Sequence, residues 1–479
     1  FGGGYRRDSA DALVEEIERE GKALEESLHD PARATVVWVT LPEALPVAET
    51  RDAVAALEGE GIPVREILVN RVTPEEAESC PVCRERRLAE MGAIEEIREA
   101  FAGRELRFLP AQEREPRGLA ALRRLGAPGS CGMAGWLEGA LSRASARGRV
   151  GDGAFEDAGK GATAPSWFER FAPPGARLLL FGGKGGVGKT TCAAATALTL
   201  AQEQPERRLL LISTDPAHSL GDALATPMGD EARPVPGAPP GLRVRELDAA
   251  RVFAAWRDRH RETVGEALGS FSSEGEALAA DLLDAPPPGL DELVALSTLL
   301  DAVLGPGAAP IDLVIVDTAP TGHALRLLEM PALALAWDHA MLSLLLKYRE
   351  AVGLGDLAAE LVELSRSLKR FQALLADPAR TRFVAVTRAA ELPRRETVRL
   401  LDALRELSIE VPAVVVNATT QTNPDCRFCA AAGGLQKREV RALAAAVECD
   451  IIETPAVYPP PRGAAALAAW ARTWKAPSR

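Results

Sequence analysis

Large aromatic and flexible apolar side chains are scarce in this chain. Its 479 residues include five methionines, three tyrosines and twelve phenylalanines, and aromatics make up 5% of the total. Alanine is abundant instead, so the helices are expected to pack closely on small side chains. No uninterrupted apolar run approaches the roughly 20 residues that a membrane-spanning helix requires, and no signal peptide heads the chain. The expectation is a cytoplasmic protein, at most peripheral to a membrane. Positive charge is also short: 56 Lys and Arg stand against 68 Asp and Glu, for a net charge of −12. That balance argues against a nucleic-acid partner or binding to an anionic membrane surface. Cysteine numbers seven in all, and none lies between Cys192 and Cys426.

What is present begins with a glycine-rich stretch, Gly182-Gly183-Lys184-Gly185-Gly186-Val187-Gly188-Lys189-Thr190-Thr191. Residues Gly183 to Thr190 satisfy the phosphate-loop pattern G-x-x-x-x-G-K-[ST]. The apolar run Leu178-Leu179-Leu180-Phe181 precedes it, and the helix-forming Cys192-Ala193-Ala194-Ala195 follows. Strand, glycine loop and helix together are the context in which backbone N–H groups and a helix N-terminus close on phosphate oxygens. Gly183, Gly185, Gly186, Val187, Gly188, Lys189, Thr190 and Thr191 are the candidate nucleotide-binding residues. Lys189 is expected to reach the β/γ-phosphates of ATP, and Thr190 to ligate Mg²⁺.

Two acidic residues follow strand-like runs. Asp215 stands after Arg208-Leu209-Leu210-Leu211-Ile212, in Ser213-Thr214-Asp215-Pro216-Ala217-His218-Ser219-Leu220-Gly221-Asp222. Asp317 ends Leu313-Val314-Ile315-Val316 and opens Asp317-Thr318-Ala319-Pro320-Thr321-Gly322-His323. Phosphoryl transfer needs charge neutralisation and a positioned water more than covalent catalysis. Asp317 suits the Mg²⁺ shell, and Asp215 suits orienting or deprotonating the attacking water. Either could instead cap a turn.

These motifs resemble those of the ArsA and tail-anchored-protein-targeting ATPases, which carry a deviant Walker A loop with an early lysine, here Lys184. The resemblance covers residues 20–125 and 172–475. It implies a doubly wound, mostly parallel α/β sheet of the P-loop NTPase class with a helical subdomain, about 251–303 and 332–371. It also implies that Lys184 crosses a dimer interface to the partner's nucleotide, and that residues 213–222 and 317–331 are the switch I and switch II segments.

An internal repeat is the second feature. Asp30-Pro31-Ala32-Arg33 and Asp377-Pro378-Ala379-Arg380 correspond, as do Ile67-Leu68-Val69-Asn70 and Val414-Val415-Val416-Asn417. Cys80-Pro81-Val82-Cys83 corresponds to Cys426-Arg427-Phe428-Cys429, and Pro116-Arg117-Gly118 to Pro461-Arg462-Gly463. Residues 1–125 therefore read as the C-terminal half of a first ATPase domain, 126–171 as a linker with a short helix near Trp136, and 172–479 as a complete domain. Since the first copy has no phosphate loop ahead of it, the expectation is a fragment of a tandem ATPase, or a natural half-length partner. Strands at 35–40 and 66–70 are expected to want neighbours. The two copies are expected to form a pseudo-dimer, or the chain a homodimer.

The two C-x-x-C pairs admit three readings: a tetrahedral zinc site from Cys80, Cys83, Cys426 and Cys429, reduced thiols, or a redox-responsive pair. The resemblance supports zinc, because the tail-anchored-targeting ATPases hold it between subunits in this way. It also places a base-recognising asparagine at Asn417, with Arg462 in the loop covering the base; a turn-capping asparagine is the alternative. Arsenite, a soft centre seeking three thiolates, finds none between Cys192 and Cys426, whereas Pro288-Gly289-Leu290-Asp291-Glu292 resembles the targeting branch. The expected client is a hydrophobic, tail-anchored-type membrane protein. A metalloid-stimulated subunit of a membrane pump, or a regulatory ATPase of the same fold, are the other readings.

Overall fold

The computed structural model describes residues 9–74, 79–112, 116–125, 167–215, 219–255, 257–258, 289–305, 311–347 and 355–475. Most of the expected linker, including Trp136, lies outside them, as do Pro216, Ala217, His218, Pro286, Pro287 and Pro288. The chain divides into two units, residues 1–150 with 425–428, and 151–424 with 429–479.

The first unit contains α1 (Ser9–His29), β1 (Val36–Thr40), α2 (Ala44–Gly59), β2 (Val64–Val72), α3 (Pro81–Ala100), β3 (Glu105–Pro110) and α4 (Gly118–Leu125). Its three strands form a parallel sheet in the order β1-β2-β3. The strands expected to want neighbours thus pair with each other, Trp38 opposite Ile67 and Thr40 opposite Val69. Val47, Val54, Ile67, Val69, Met91, Ile94 and Ile97 make a small core between this sheet and its helices. Among the described residues no strand pairs with the outer edge of β1, and Val37 and Val39 are exposed there.

The second unit is built on an eight-stranded sheet. Its elements run α5 (Phe168–Phe171), β4 (Leu178–Gly182), α6 (Lys189–Glu203), β5 (Leu209–Ser213), α7 (Ser219–Leu224), β6 (Arg233–Pro234), β7 (Leu242–Glu246), α8 (Leu290–Leu304) and β8 (Leu313–Asp317). They continue through α9 (Thr321–Lys347), α10 (Gly355–Leu375), β9 (Thr381–Arg388), α11 (Glu391–Glu406), β10 (Ala413–Thr419), α12 (Arg427–Ala444), β11 (Asp450–Pro455) and α13 (Gly463–Ala471). The sheet order is β11-β10-β9-β4-β8-β5-β7-β6, parallel except for the β6–β7 pair. Every residue of β4, β5 and β8 is buried. Continuous apolar runs, rather than alternating ones, are what a parallel strand covered on both faces demands. Because β5 follows β4 in sequence while β8 lies between them, the chain leaves a crevice at the C-terminal ends of these strands, where ligands bind in open α/β sheets.

One face of the sheet packs Phe181, Leu211, Ile315 and Val386 against α6 and α13. Cys192, Ala193, Ala194, Ala195, Ala197 and Ala201 are buried on α6, so small side chains do bring this helix close to the sheet. The few aromatics concentrate here: Trp167 stacks on Trp474 with ring centroids 4.7 Å apart, and Phe171 meets Phe181 edge-on. Trp167, Phe168 and Phe171 are therefore core residues, where the sequence reading had the linker run to 171. The opposite face packs Leu180, Ile212, Val316, Phe383 and Val414 against α8, α9, α10 and α11.

The repeat is visible in hydrogen bonds as well as in residue type. Asp30 accepts the Ala32 N–H at 2.9 Å and Asp377 the Ala379 N–H at 2.9 Å, the same turn before β1 and β9. The Thr50 and Thr397 hydroxyls bond back to the carbonyls of Pro46 and Pro393. Both β2 and β10 break register just after their asparagine, where Arg71 and Ala418 adopt left-handed φ values of 65° and 54°. No helix among the described residues is long and apolar enough to cross a membrane.

Candidate functional site

The glycine loop joins β4 to α6 in the middle of the sheet. Two of its glycines have no substitute. Gly183 has φ 154°, and a Cβ there would lie 2.1 Å from the Val386 carbonyl oxygen. Gly188 caps α6 with φ 91°, and its Cβ would fall 2.1 Å from Asn417 Nδ2. Lys189 and Thr190 open the helix and are 5% and 6% exposed. Their backbone N–H groups belong to the first turn, where donors have no intrahelical partner and the helix dipole is positive.

Strand pairing delivers the carboxylate. Phe181 and Ser213 are both opposite Asp317, so the loop, β5 and β8 end side by side. Asp317 is fully buried. Its Oδ2 accepts a hydrogen bond from Ser213 Oγ at 3.1 Å, while Oδ1 has no partner. Burial pushes this carboxyl up to about 7; the Lys189 ammonium opposes the shift and the Asp215 charge adds to it. A buried carboxylate oxygen with no hydrogen bond is costly unless a ligand satisfies it. Thr190 Oγ1 lies 3.0 Å from Ser219 Oγ on α7. Hard oxygen donors from Thr190 and Asp317 fit Mg²⁺, which takes one or two protein oxygens and completes its shell with phosphate and water.

Asp215 leaves the end of β5 half-buried, its own N–H donated to Ser213 Oγ at 3.3 Å. The segment after Asp317 is tied to the loop. The Thr318 hydroxyl donates to the Phe181 carbonyl at 2.8 Å, and the Thr321 N–H to the Gly183 carbonyl at 3.2 Å. His323 Nδ1 then meets Glu292 Oε1 of α8 at 2.9 Å. Hydrogen bonds thus run from the glycine loop through residues 317–323 to α8 and α9.

Lys184 lies on Glu396 of α11 in its own chain, Nζ to Oε1 at 3.0 Å. Both side chains are more than a third exposed, and such pairs contribute little to stability. Asn417 is buried, donating Nδ2 to the Val187 carbonyl at 2.7 Å and accepting from Thr454 Oγ1 at 2.7 Å. Arg462 donates Nε to the Asp222 carbonyl at 3.1 Å, bringing the loop before α13 onto α7.

The cysteine pairs each stand at a helix start, Cys80 capping α3 and Cys426 just before α12. Residues 425–428 cluster with the first unit, so Cys426 stands there beside Cys80 and Cys83, with 3.8 Å between the Cys83 and Cys426 sulfurs. Cys429 follows in the same C-x-x-C turn as Cys426, in the first turn of α12. The Asn423 N–H donates to Cys429 Sγ at 3.3 Å, and the same sulfur donates to the Asn423 carbonyl at 3.5 Å. Thiols at C-x-x-C spacing are the usual donors of structural zinc sites.

Ser213, Ser219, Glu246 and Thr454 were not singled out from the sequence. Both serines stood inside the 213–222 motif, but nothing local marked them. Glu246, 4% exposed, accepts the Leu220 N–H at 2.8 Å and so anchors α7. Its sequence signal is an acid at the inward-facing position of an alternating strand, after Leu242 and Val244.

The sequence profile of the anion-transporting ATPase family, the ArsA ATPases, matches residues 2–128 and 176–469. ATPase ARSA1 of Chlamydomonas reinhardtii is 27% identical over 474 residues, covering 92% of this chain and 56% of that protein. ATPase GET3B of Arabidopsis thaliana is 32% identical over 290 residues, 56% of this chain and 69% of the relative. ATPase GET3 of Kluyveromyces lactis is 32% identical over 283 residues, 55% and 78% of the two chains. The chain therefore spans little more than half the length of ARSA1. With a phosphate loop, a buried carboxylate beside it and a profile match across both halves, this chain belongs to the anion-transporting ATPase (ArsA) family.

Proposed function

We propose that this chain binds Mg-ATP at the loop 183–190, hydrolyses it, and uses the segments that sense the γ-phosphate to control an apolar surface for a hydrophobic helical client. The observation that carries the reading is the unpartnered Oδ1 of buried Asp317 beside Lys189 and Thr190. Lys189 neutralises β/γ-phosphate charge, the loop N–H groups hold the phosphate oxygens, and Asp215 orients the attacking water and accepts its proton. Mg²⁺, when held by Thr190 and Asp317, would draw charge from the bridging oxygens. Asn417 reads the base, with Arg462 in the covering loop. Lys184 exchanges Glu396 for a nucleotide across a dimer or pseudo-dimer interface.

The client surface follows from connectivity. Asp317 leads within one short turn into α9, and α9 packs against α8 and α10. Leu293 on α8, Leu333 on α9, and Val362 and Leu364 on α10 are exposed, while Leu296, Leu299, Leu327, Leu335, Leu368 and Phe371 of the same helices are buried. Movement of residues 317–323 on γ-phosphate loss is transmitted directly to these helices. The test is ATP-dependent photo-crosslinking of a labelled transmembrane helix, with antimonite titrated into the ATPase assay. Crosslinks to α8–α10 with ATP, and indifference to antimonite, are the expected result. Metalloid-stimulated turnover without crosslinks would replace the helical client with a metalloid.

The cysteine set adds a separate expectation. Cys80, Cys83, Cys426 and Cys429 are proposed to hold about one Zn²⁺ per chain by tetrahedral thiolate ligation. Metal analysis of the purified chain should find it, and Cys426→Ser should remove nearly all of it. Zinc that survives that substitution would assign the metal elsewhere.

A further inference from the structure

Three hydrogen bonds in the second unit run in one direction and end on the phosphate loop. The Ala418 N–H donates to Thr454 Oγ1 at 3.1 Å, Thr454 Oγ1 donates to Asn417 Oδ1 at 2.7 Å, and Asn417 Nδ2 donates to the Val187 carbonyl at 2.7 Å. Thr454 is completely buried on β11, and Asn417 is 7% exposed on β10. The chemistry leaves one arrangement. The Val187 carbonyl can only accept, so the Asn417 NH₂ must face it, and the amide oxygen on the other side takes the Thr454 hydroxyl hydrogen. That fixes the carboxamide with its oxygen towards Thr454 and its NH₂ towards the carbonyl, the only group that can satisfy Val187.

The consequence lies in the peptide between Val187 and Gly188. In a planar trans peptide the C=O and N–H point in opposite directions. Anchoring the Val187 carbonyl on Asn417 therefore aims the Gly188 N–H away from Asn417, towards the concave side where such loops present donors to phosphate. Gly188 holds the left-handed φ of 91° that this orientation requires, and Asn417 packs against it too closely for any side chain. We propose that Thr454 is a positioning residue: through Asn417 it sets the orientation of the 187–188 peptide, and with it the phosphate-binding shape of the loop.

The repeat supplies a comparison. The first unit keeps the asparagine, Asn70, and the left-handed residue after it, Arg71 with φ 65°. Pairing of Val72 with Pro110 and of Thr419 with Pro455 makes Leu109 the counterpart of Thr454. The first copy has a leucine where the second has the hydroxyl. The bulge and asparagine recur in both copies, and the hydroxyl that orients the amide is found in the second.

The inference rests on residues 183–190 being the nucleotide site, and the experiment separates the two ideas. Calorimetry on the full chain with Mg²⁺ measures ADP, GDP and inorganic tripolyphosphate, the last having no base to read. Binding of Mg-ADP by the unsubstituted chain tests the site itself; its absence overturns that assignment and this one with it. Thr454→Val is expected to weaken all three ligands by a common factor of about ten, the size expected when a buried partner loses its hydrogen bond. Thr454→Ser should restore binding, and Thr454→Val should add less than about two-fold to Asn417→Ala, because the two act in series. Thr454→Ala against Thr454→Ser carries the same comparison if the valine variant does not fold. Unchanged tripolyphosphate affinity, or additive effects of Thr454→Val and Asn417→Ala, would overturn the proposal.

Discussion

Lys189→Ala is expected to abolish Mg-ATP binding, with affinity reduced at least ~100-fold, or about 2.7 kcal/mol. Lys189 is 5% exposed at the first turn of α6, and its ammonium is the principal positive influence on Asp317. Without it, the charge of a triphosphate in the loop would be offset only by Mg²⁺ and backbone dipoles, beside the Asp317 and Asp215 carboxylates. The loop geometry should survive, because the Val187 carbonyl is held by Asn417 and the Gly183 carbonyl by the Thr321 N–H rather than by the lysine. The folded chain, verified by thermal melting, should therefore fail to bind. Retained affinity in isothermal titration would remove the phosphate-loop assignment, since no other buried cation adjoins Asp317 among the described residues.

The second large effect is expected in turnover rather than binding. Asp215→Asn should lower kcat by about 10²–10³, the range for loss of a positioned general base, while Mg-ATP affinity stays within a few-fold. Asparagine keeps the volume and can still hydrogen-bond, but it cannot take a proton from water. The expected sign of the binding change is informative. Asp215 raises the Asp317 carboxyl, so removing its charge makes Asp317 easier to ionise and Mg²⁺ easier to hold. Single-turnover hydrolysis and Mg²⁺ titrations on one preparation decide the point. Parallel loss of affinity and rate would make Asp215 a metal ligand; an unchanged rate would leave it no part in the chemistry.

These two residues also mark how far the sequence could be read. The loop was legible because glycine at 183 and 188 is demanded by backbone conformation and close approach, which no other residue satisfies. The strands were legible because burial on both faces demands continuous apolar runs. The linker boundary was placed too late: Trp-Phe-Glu-Arg-Phe has no periodicity to announce a core, and only its stacking on Trp474 makes it one. The resemblance sends Lys184 across to a partner. In this chain it rests on Glu396, a contact set by the placement of α11 beside the loop. The resemblance places Asn417 at the base, and its amide also bonds to Val187 and Thr454.

The sequence by itself determined the phosphate loop, the acidic strand ends, the repeat and the C-x-x-C spacing. Each depends on residue type over a few neighbouring positions, where φ restrictions, helix capping and pleat alternation act. Tertiary structure alone decided which of these meet. Asp317 is beside the loop because β8 inserts between β4 and β5, and Thr454 reaches Asn417 because β11 adds to β10. Parallel pairing brings together residues far apart in the chain through backbone hydrogen bonds, and those bonds leave no mark on the side chains they align.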